Sequence, residues 1–205
     1  PAISEKLPSE EDQPCPVSYY GKSKLEAEKI IKEKLEIPSV ILRLSGVYGP
    51  EDREIFTFFK YAQKGTLYFP LRKNQKIQLI YIKDVCIAIE KVLKRDAEGI
   101  FFIAHPEILN TLEICFFFKE IIGKPVNILT IPEPVVKFFS YLNLGLGMIS
   151  GKKTMFNPQK VKELLQEKWL CSTEKAKNQL EFEARIPFSQ GARETYKWYK
   201  ENNWL

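Results

Sequence analysis

Cysteine and histidine are scarce in this sequence, and the few present are scattered. Cys15, Cys86, Cys115 and Cys171 form no CxxC pair, and the one histidine, His105, lies beside no cluster of cysteines or carboxylates. Zinc ligand sets and disulfide frameworks need closer spacing, so no metal is expected and a reducing, cytoplasmic compartment is the default. Cys86 and Cys115 lie inside apolar runs and read as small core hydrophobes; His105 reads as a loop or structural histidine. Long apolar runs are missing too. The nearest, residues 134–149, is interrupted by Lys137, Ser140, Asn143 and two glycines, so it falls short of a membrane span. No stretch of it reads as a secretory leader, so none is expected. Glycine clusters only in LGLGMISG, residues 144–151, after a helix-like stretch rather than a strand, which does not make a phosphate loop. Charge of one sign is also lacking: the net +5 comes from lysines alternating with acids, which reads as solvated helix faces and argues against a nucleic-acid partner.

The composition that remains is that of a globular protein with an apolar core: 44% hydrophobic and 13% aromatic over 205 residues. Residues 1–18, rich in proline, serine and acids, read as an extended loop, and Ser18 as the cap of a helix over 20–36. SVILRL has the β-branched content of a strand buried on both faces, and SGVYGP reads as a Gly/Pro loop. A helix over 53–64, strands TLYFP and KIQLIYI, a helix beginning at Asp84, the strand GIFFIA, a helix capped by Thr111 and the strand VNILTI follow. Helical segments fill the rest. Alternating strands and helices predict an α/β layered fold with parallel pairing. There is no internal repeat.

Tyr20 stands four residues before Lys24 in YYGKSKLEAEKI, and Tyr196 stands four before Lys200 in YKWYK. On a helix both pairs share a face. A free phenol titrates near ~10 and is a poor base at neutral pH, and an adjacent ammonium favours phenolate, which suits proton transfer at an alcohol oxygen. Surroundings separate the two pairs. The second lies among Trp198, Tyr199 and Trp204 with no strand downstream, and reads as a packing helix.

The order PVSYYGKSKLEAE, buried strand, RLSGVYGP, then IQLIYIKDVCIAI resembles the extended short-chain dehydrogenase/reductase family. The similarity runs through the C-terminal KWLCSTEKAKNQLEFEARIPFSQGARETYKWYKENNWL, and is greatest to its dihydroflavonol reductase-like, 3β-hydroxysteroid dehydrogenase-like and sugar-nucleotide epimerase-like members. The resemblance implies the C-terminal part of a Rossmann-type, doubly wound parallel sheet over residues 1–131, with a mainly helical substrate lobe over 132–205. It makes Tyr20 the catalytic acid/base and Lys24 its partner on the nicotinamide ribose. It passes the nicotinamide of NAD or NADP along Leu44, Ser45, Gly46 and Val47, where Leu44 stands at a position usually held by proline. It puts Arg43 at the edge of the cleft, Arg53 and Tyr81 on the substrate side, and Asp84 at a helix N-cap.

The family's first strand, its GxxGxxG turn and its catalytic serine or threonine have no counterpart here; Ser4 is a weak stand-in for the last. The chain, which starts at Pro1, therefore reads as the C-terminal portion of a longer enzyme. Either a missing N-terminal half or a homodimer through the Tyr20 helix is expected to cover its open sheet edge and apolar helix faces. The resemblance implies an oxidoreductase or epimerase working on a hydroxyl or carbonyl. The apolar segment 134–149 suits a steroid-, terpenoid- or flavonol-like substrate or a membrane-surface contact. Arg53, Arg72, Lys73, Lys152 and Lys153 suit the diphosphate of a nucleotide sugar, and with it an epimerase or dehydratase. A non-catalytic scaffold that kept the fold is the reading from another class.

Overall fold

A computed structural model describes residues 6–70, 75–151 and 156–205. Ser4, Arg72, Lys73, Lys152 and Lys153 lie outside the described residues. In chain order the elements are α1 (Tyr19–Lys34), β1 (Val40–Leu44), β2 (Gly46–Tyr48), α2 (Arg53–Gln63), β3 (Thr66–Pro70), β4 (Lys76–Ile77), β5 (Leu79–Tyr81), α3 (Ile82–Lys94) and β6 (Gly99–Ile103). They continue with β7 (Leu109–Asn110), α4 (Thr111–Ile122), β8 (Asn127–Ile131), α5 (Glu133–Ser150), α6 (Pro158–Leu164), β9 (Lys168–Trp169), α7 (Glu174–Leu180) and α8 (Phe188–Glu201).

The pairing is parallel in β1 with β6, β2 with β5 and β3 with β8, as the alternation of strands and helices predicts. β4 adds a small mixed sheet, antiparallel to β7 and parallel to β9. β1 has the β-branched sequence of a strand covered on both sides, yet Val40 to Arg43 are only half-buried. The reason is local: among the described residues β1 is hydrogen-bonded to β6 alone.

Several local readings need correction. KIQLIYI is not one strand. Gln78 breaks it, because its buried amide donates to the His105 carbonyl at 3.2 Å and accepts from the Cys171 backbone N–H at 2.7 Å, which sends β4 and β5 into different sheets. Residues 46–48 of the supposed loop form β2. The cap of α4 is Asn110, in a reciprocal capping box with Glu113, and not Thr111. Helix α3 starts at Ile82, so Asp84 caps nothing; its buried carboxylate accepts the backbone N–H groups of Arg185 and Ile186 at 3.1 and 2.9 Å. Cys115 is buried as read, but Cys86 is exposed on α3.

The aromatic content goes mainly into one core between α2, α4, α8 and the β2–β5 pair. Phe59 meets Phe118 edge-to-face at 4.6 Å, and Tyr48 packs against Tyr81 and Phe188 at 5.4 and 5.2 Å. A second core sets Ile80, Phe101 and Ile103 against Ala176, Leu180 and Phe182, so α7 and the residues after it return to β5 and β6, far earlier in the chain. Helices α5 and α6 share a small cluster of their own, Val136 with Val161 and Leu165.

Candidate active site

Helix α1 carries the Tyr20–Lys24 pair, and polar groups hold it in place, since none of its residues is fully buried. Ser18 caps it as predicted: its buried Oγ accepts from the Gly21 backbone N–H at 3.1 Å and donates to Glu163 of α6. The Tyr19 N–H donates to Gln159, also on α6, at 3.3 Å. Gly21 is explained by close approach, since a Cβ there would stand 3.0 Å from the Pro16 side chain. The first turn of α1 is thus seated on α6 beneath the incoming loop.

One turn beyond Lys24, Glu28 forms a forked pair with Arg43 of β1, at 2.9 Å to Nε and 2.6 Å to Nη2. Both side chains are about five-sixths shielded from solvent, at 17% and 15% exposure. Arg43 therefore does not end the strand at a cleft edge. It lies inside β1 and clamps α1 to the sheet, with its guanidinium 5.5 Å from the Phe102 ring centre.

Tyr20, Lys24 and Glu28 recur every fourth residue and so share one face of α1. Glu28 shows where that face points: onto β1. Residues 35–39 join the C-terminus of α1 to the start of β1, so helix and strand run in opposite directions. Tyr20 lies about 12 Å along the axis from Glu28 at 1.5 Å per residue. Gly46 and Val47 lie about 10–13 Å beyond Arg43 at ~3.3 Å per residue. The pair and the Leu44–Val47 segment thus extend to the same side of the Glu28–Arg43 contact.

The local geometry of the two tyrosine–lysine pairs is the same: each ammonium lies 5.5 Å from its ring centre. Their surroundings differ. Tyr196 packs on Phe59 at 5.1 Å and accepts from Gln63 at 3.2 Å, whereas Tyr20 is 68% exposed. The C-terminal pair is a packing element, and the N-terminal pair is open to a ligand.

In the Leu44–Val47 segment, Leu44, Gly46 and Val47 are exposed. Ser45 donates its N–H to the Ile103 carbonyl at 3.0 Å, while its Oγ is buried with no hydrogen-bond partner. An orphaned hydroxyl at the end of β1 fits the polar amide of a nicotinamide, and the exposed apolar neighbours fit its ring. The phosphate cradle is a different matter, because no Gly-rich turn follows a strand in the sequence.

One substrate-side reading changes. Tyr81 is 1% exposed and belongs to the aromatic core; its hydroxyl donates to Glu194 at 3.2 Å, and the same carboxylate binds Lys83 at 2.8 Å. Burial pushes its phenol above the usual tyrosine range. It is not a wall of an open cleft. Arg53 is exposed at the first residue of α2. His105 staples its own loop: Nδ1 accepts the Glu107 N–H at 3.1 Å. Gln159, Glu163 and the Glu28–Arg43 clamp escaped the sequence reading. Of these only Glu28 carried a signal, as the third member of the Tyr20–Lys24 stripe.

Residues 4–122 match the family model described as the RmlD substrate binding domain. Ceramide reductase of Caulobacter vibrioides is 19% identical over 191 residues, covering 92% of this chain and 59% of that protein. Among solved structures, dTDP-glucose 4,6-dehydratase from Bacillus anthracis in complex with NAD superposes with a TM-score of 0.73 at 21% identity, covering 98% of this chain and 57% of that one. UDP-glucuronic acid 4-epimerase from Bacillus cereus, in complex with UDP-glucuronic acid and NAD, gives 0.73 at 23% identity, with 96% and 57% covered. The chain therefore spans a little under three-fifths of these relatives, and it shares their Rossmann-type α/β fold. With more than half of its residues matched by the family model, the chain belongs to the RmlD substrate-binding-domain family, within the extended short-chain dehydrogenases/reductases.

Proposed function

We propose that this chain carries the acid–base residues of an NAD-dependent epimerase or dehydratase acting on a nucleotide sugar. The observation behind this reading is the Tyr20–Lys24–Glu28 stripe on α1, with Glu28 forked onto Arg43 of β1 and Tyr20 exposed beside the Lys24 ammonium. The nucleotide-sugar enzymes among the structural relatives support the substrate class, and their bound NAD supports the cofactor. When bound, NAD would accept or return a hydride at the carbon that bears the reacting oxygen. Tyr20 Oη exchanges the proton with that oxygen. Lys24 supplies positive charge beside the phenol and a donor for the ribose hydroxyls, and Leu44, Ser45, Gly46 and Val47 line the nicotinamide. Arg53, exposed at the start of α2, is a candidate for the diphosphate.

A second reading, reduction of a carbonyl on an apolar substrate, draws on the ceramide reductase relative and on the exposed apolar residues of α5. A steroid-, terpenoid- or flavonol-like molecule is the narrower form of that idea.

The test uses the protein made from its complete reading frame. NAD binding is measured by calorimetry, and turnover is measured on UDP- and dTDP-hexoses and on a long-chain keto lipid. Tyr20→Phe is expected to keep NAD affinity and to lower turnover by about 10²–10⁴-fold, the usual worth of a positioned acid/base. Unchanged turnover in that variant overturns the role of Tyr20. Turnover on the keto lipid alone overturns the substrate class and favours the second reading.

A further inference from the structure

Among the described residues, helix α5 carries the most exposed large apolar side chains, nine between Val135 and Ile149. At 100° per residue they spread over about 220° of the helix, and Phe138, Tyr141, Leu142, Leu146, Met148 and Ile149 fall within an arc of about 160° inside it. The buried residues Val136, Ser140 and Gly147 fall on the opposite side. Two of the exposed residues are almost bare: Met148 is 74% exposed and Ile149 86%. One face of α5 packs on α6, and the other is an apolar stripe running the length of the helix. Soluble proteins rarely expose a continuous stripe of that size without a partner for it.

The charges around the stripe point to the partner. No aspartate or glutamate occurs between Glu133 and Glu163, whereas Lys137, Lys152, Lys153, Lys160 and Lys162 all lie in that interval. Lys137 is paired with Glu133 at 2.6 Å and Lys160 with Glu54 at 2.7 Å, at the two ends of the segment, while Lys162 is exposed. Aromatic rings, aliphatic side chains and an excess of lysines over acids are what a helix lying in an anionic bilayer surface requires. Among the described residues no helix is long and apolar enough to cross a membrane, so the helix would lie on the bilayer.

We propose that α5 is an interfacial helix that seats the protein on an anionic lipid surface, with Phe138, Leu142, Leu146 and Ile149 entering the acyl boundary. This does not depend on the substrate assignment above.

The test is sedimentation of the protein from its complete reading frame with phosphatidylcholine vesicles, with and without phosphatidylglycerol, at low and high salt. The protein is expected to pellet with the anionic vesicles at low salt and to stay largely in solution with pure phosphatidylcholine. Leu146→Asp combined with Ile149→Asp is expected to weaken partitioning at least about tenfold, given what burying one such side chain is worth. Both side chains are exposed, so the native circular dichroism and melting curve should persist. If they do not, Leu146→Ser with Ile149→Ser serves the same purpose. Wild-type protein that stays in solution with every vesicle, or a folded variant that pellets as well as wild type, overturns the proposal. So does a variant that converts a dimer into a monomer by light scattering without lipid, since the stripe would then be a self-association surface.

Discussion

Helix α8 can dock on the β2–β5 pair only because Gly191 has no side chain. A Cβ built there stands 2.4 Å from the Tyr48 hydroxyl, 3.0 Å from Tyr48 Cζ and 3.0 Å from Tyr81 Cδ2. Neither ring can step aside, because both are almost fully buried and Tyr48 is boxed in by Tyr81 and Phe188. Alanine at this position gains about 0.5–1 kcal/mol of helix preference and costs about 1–3 kcal/mol in overpacking. The net for Gly191→Ala is a destabilisation of about 1–2 kcal/mol. Gly145 in α5 is the control, with nothing within 4 Å of its built Cβ, so Gly145→Ala keeps only the gain. For a chain of this size the first variant should melt about 3–6 °C below wild type and the second about 2–3 °C above it. Tyr48→Phe removes the oxygen at 2.4 Å and should recover at least half of the loss in the double variant. Differential scanning calorimetry on wild type, Gly191→Ala, Gly145→Ala, Tyr48→Phe and the double variant decides the matter, with recovery counted as the gain beyond what Tyr48→Phe gives alone. A Gly191→Ala protein as stable as wild type, or a double variant with no recovery, refutes the packing argument.

Tyr48→Phe alone should raise stability by about 1 kcal/mol in urea unfolding, because the buried Tyr48 hydroxyl has no hydrogen-bond partner to lose. Glu28→Gln should lower kcat by about 10–100-fold with a smaller change in NAD affinity, because the clamp positions Tyr20 without lining the site; equal losses in both would reduce the clamp to a fold contact. A thiol-exchange reagent at pH 8 should label Cys15 and Cys86 in the native protein, and Cys115 and Cys171 only in denaturant, because burial pushes the last two to about 12 and about 11. Unfolded thiols ionise near 9.0, so the stability these two contribute is intact below that pH and declines as pH rises toward about 11–12. A pH-dependent melting series should show that fall on the alkaline side.

The strands and helices were legible because period and propensity agreed with burial. VILRL became β1, GIFFI became β6 and REIFTFFKYAQ became α2 with little adjustment. Three of the misreadings share a cause, since each turned on a group whose partner is distant in sequence. Gln78 breaks a continuous apolar run by bonding His105 and Cys171. Asp84 leaves the cap it was expected to form and holds the backbone of Arg185 and Ile186. Tyr81 looked like a cleft residue from its place in the chain, but the position of α8, which no local pattern encodes, puts it in the core. In the candidate site, the Tyr20–Lys24 spacing and the segment after β1 were visible in sequence. The groups that aim them, Arg43, Gln159 and Glu163, were not.

How α1 is held has its own consequence for function. A helix with no fully buried residue gains little from apolar packing, so its placement rests on a few directional contacts: the Ser18 cap on Glu163, the Tyr19 bond to Gln159 and the Glu28–Arg43 fork. Two of these bind α6, which belongs to the α5–α6 cluster, and the third binds β1. Polar contacts of this kind each contribute about 0.5–3 kcal/mol and depend steeply on geometry, whereas the aromatic core around Phe59 and Phe118 tolerates small shifts. The helix that carries Tyr20 and Lys24 is thus coupled both to β1 and to the α5–α6 pair whose outer face is the apolar stripe of α5. A displacement of α5 and α6 would reach Tyr20 through Gln159 and Glu163 before it disturbed either main core, so activity should respond to perturbation of that lobe while the fold survives.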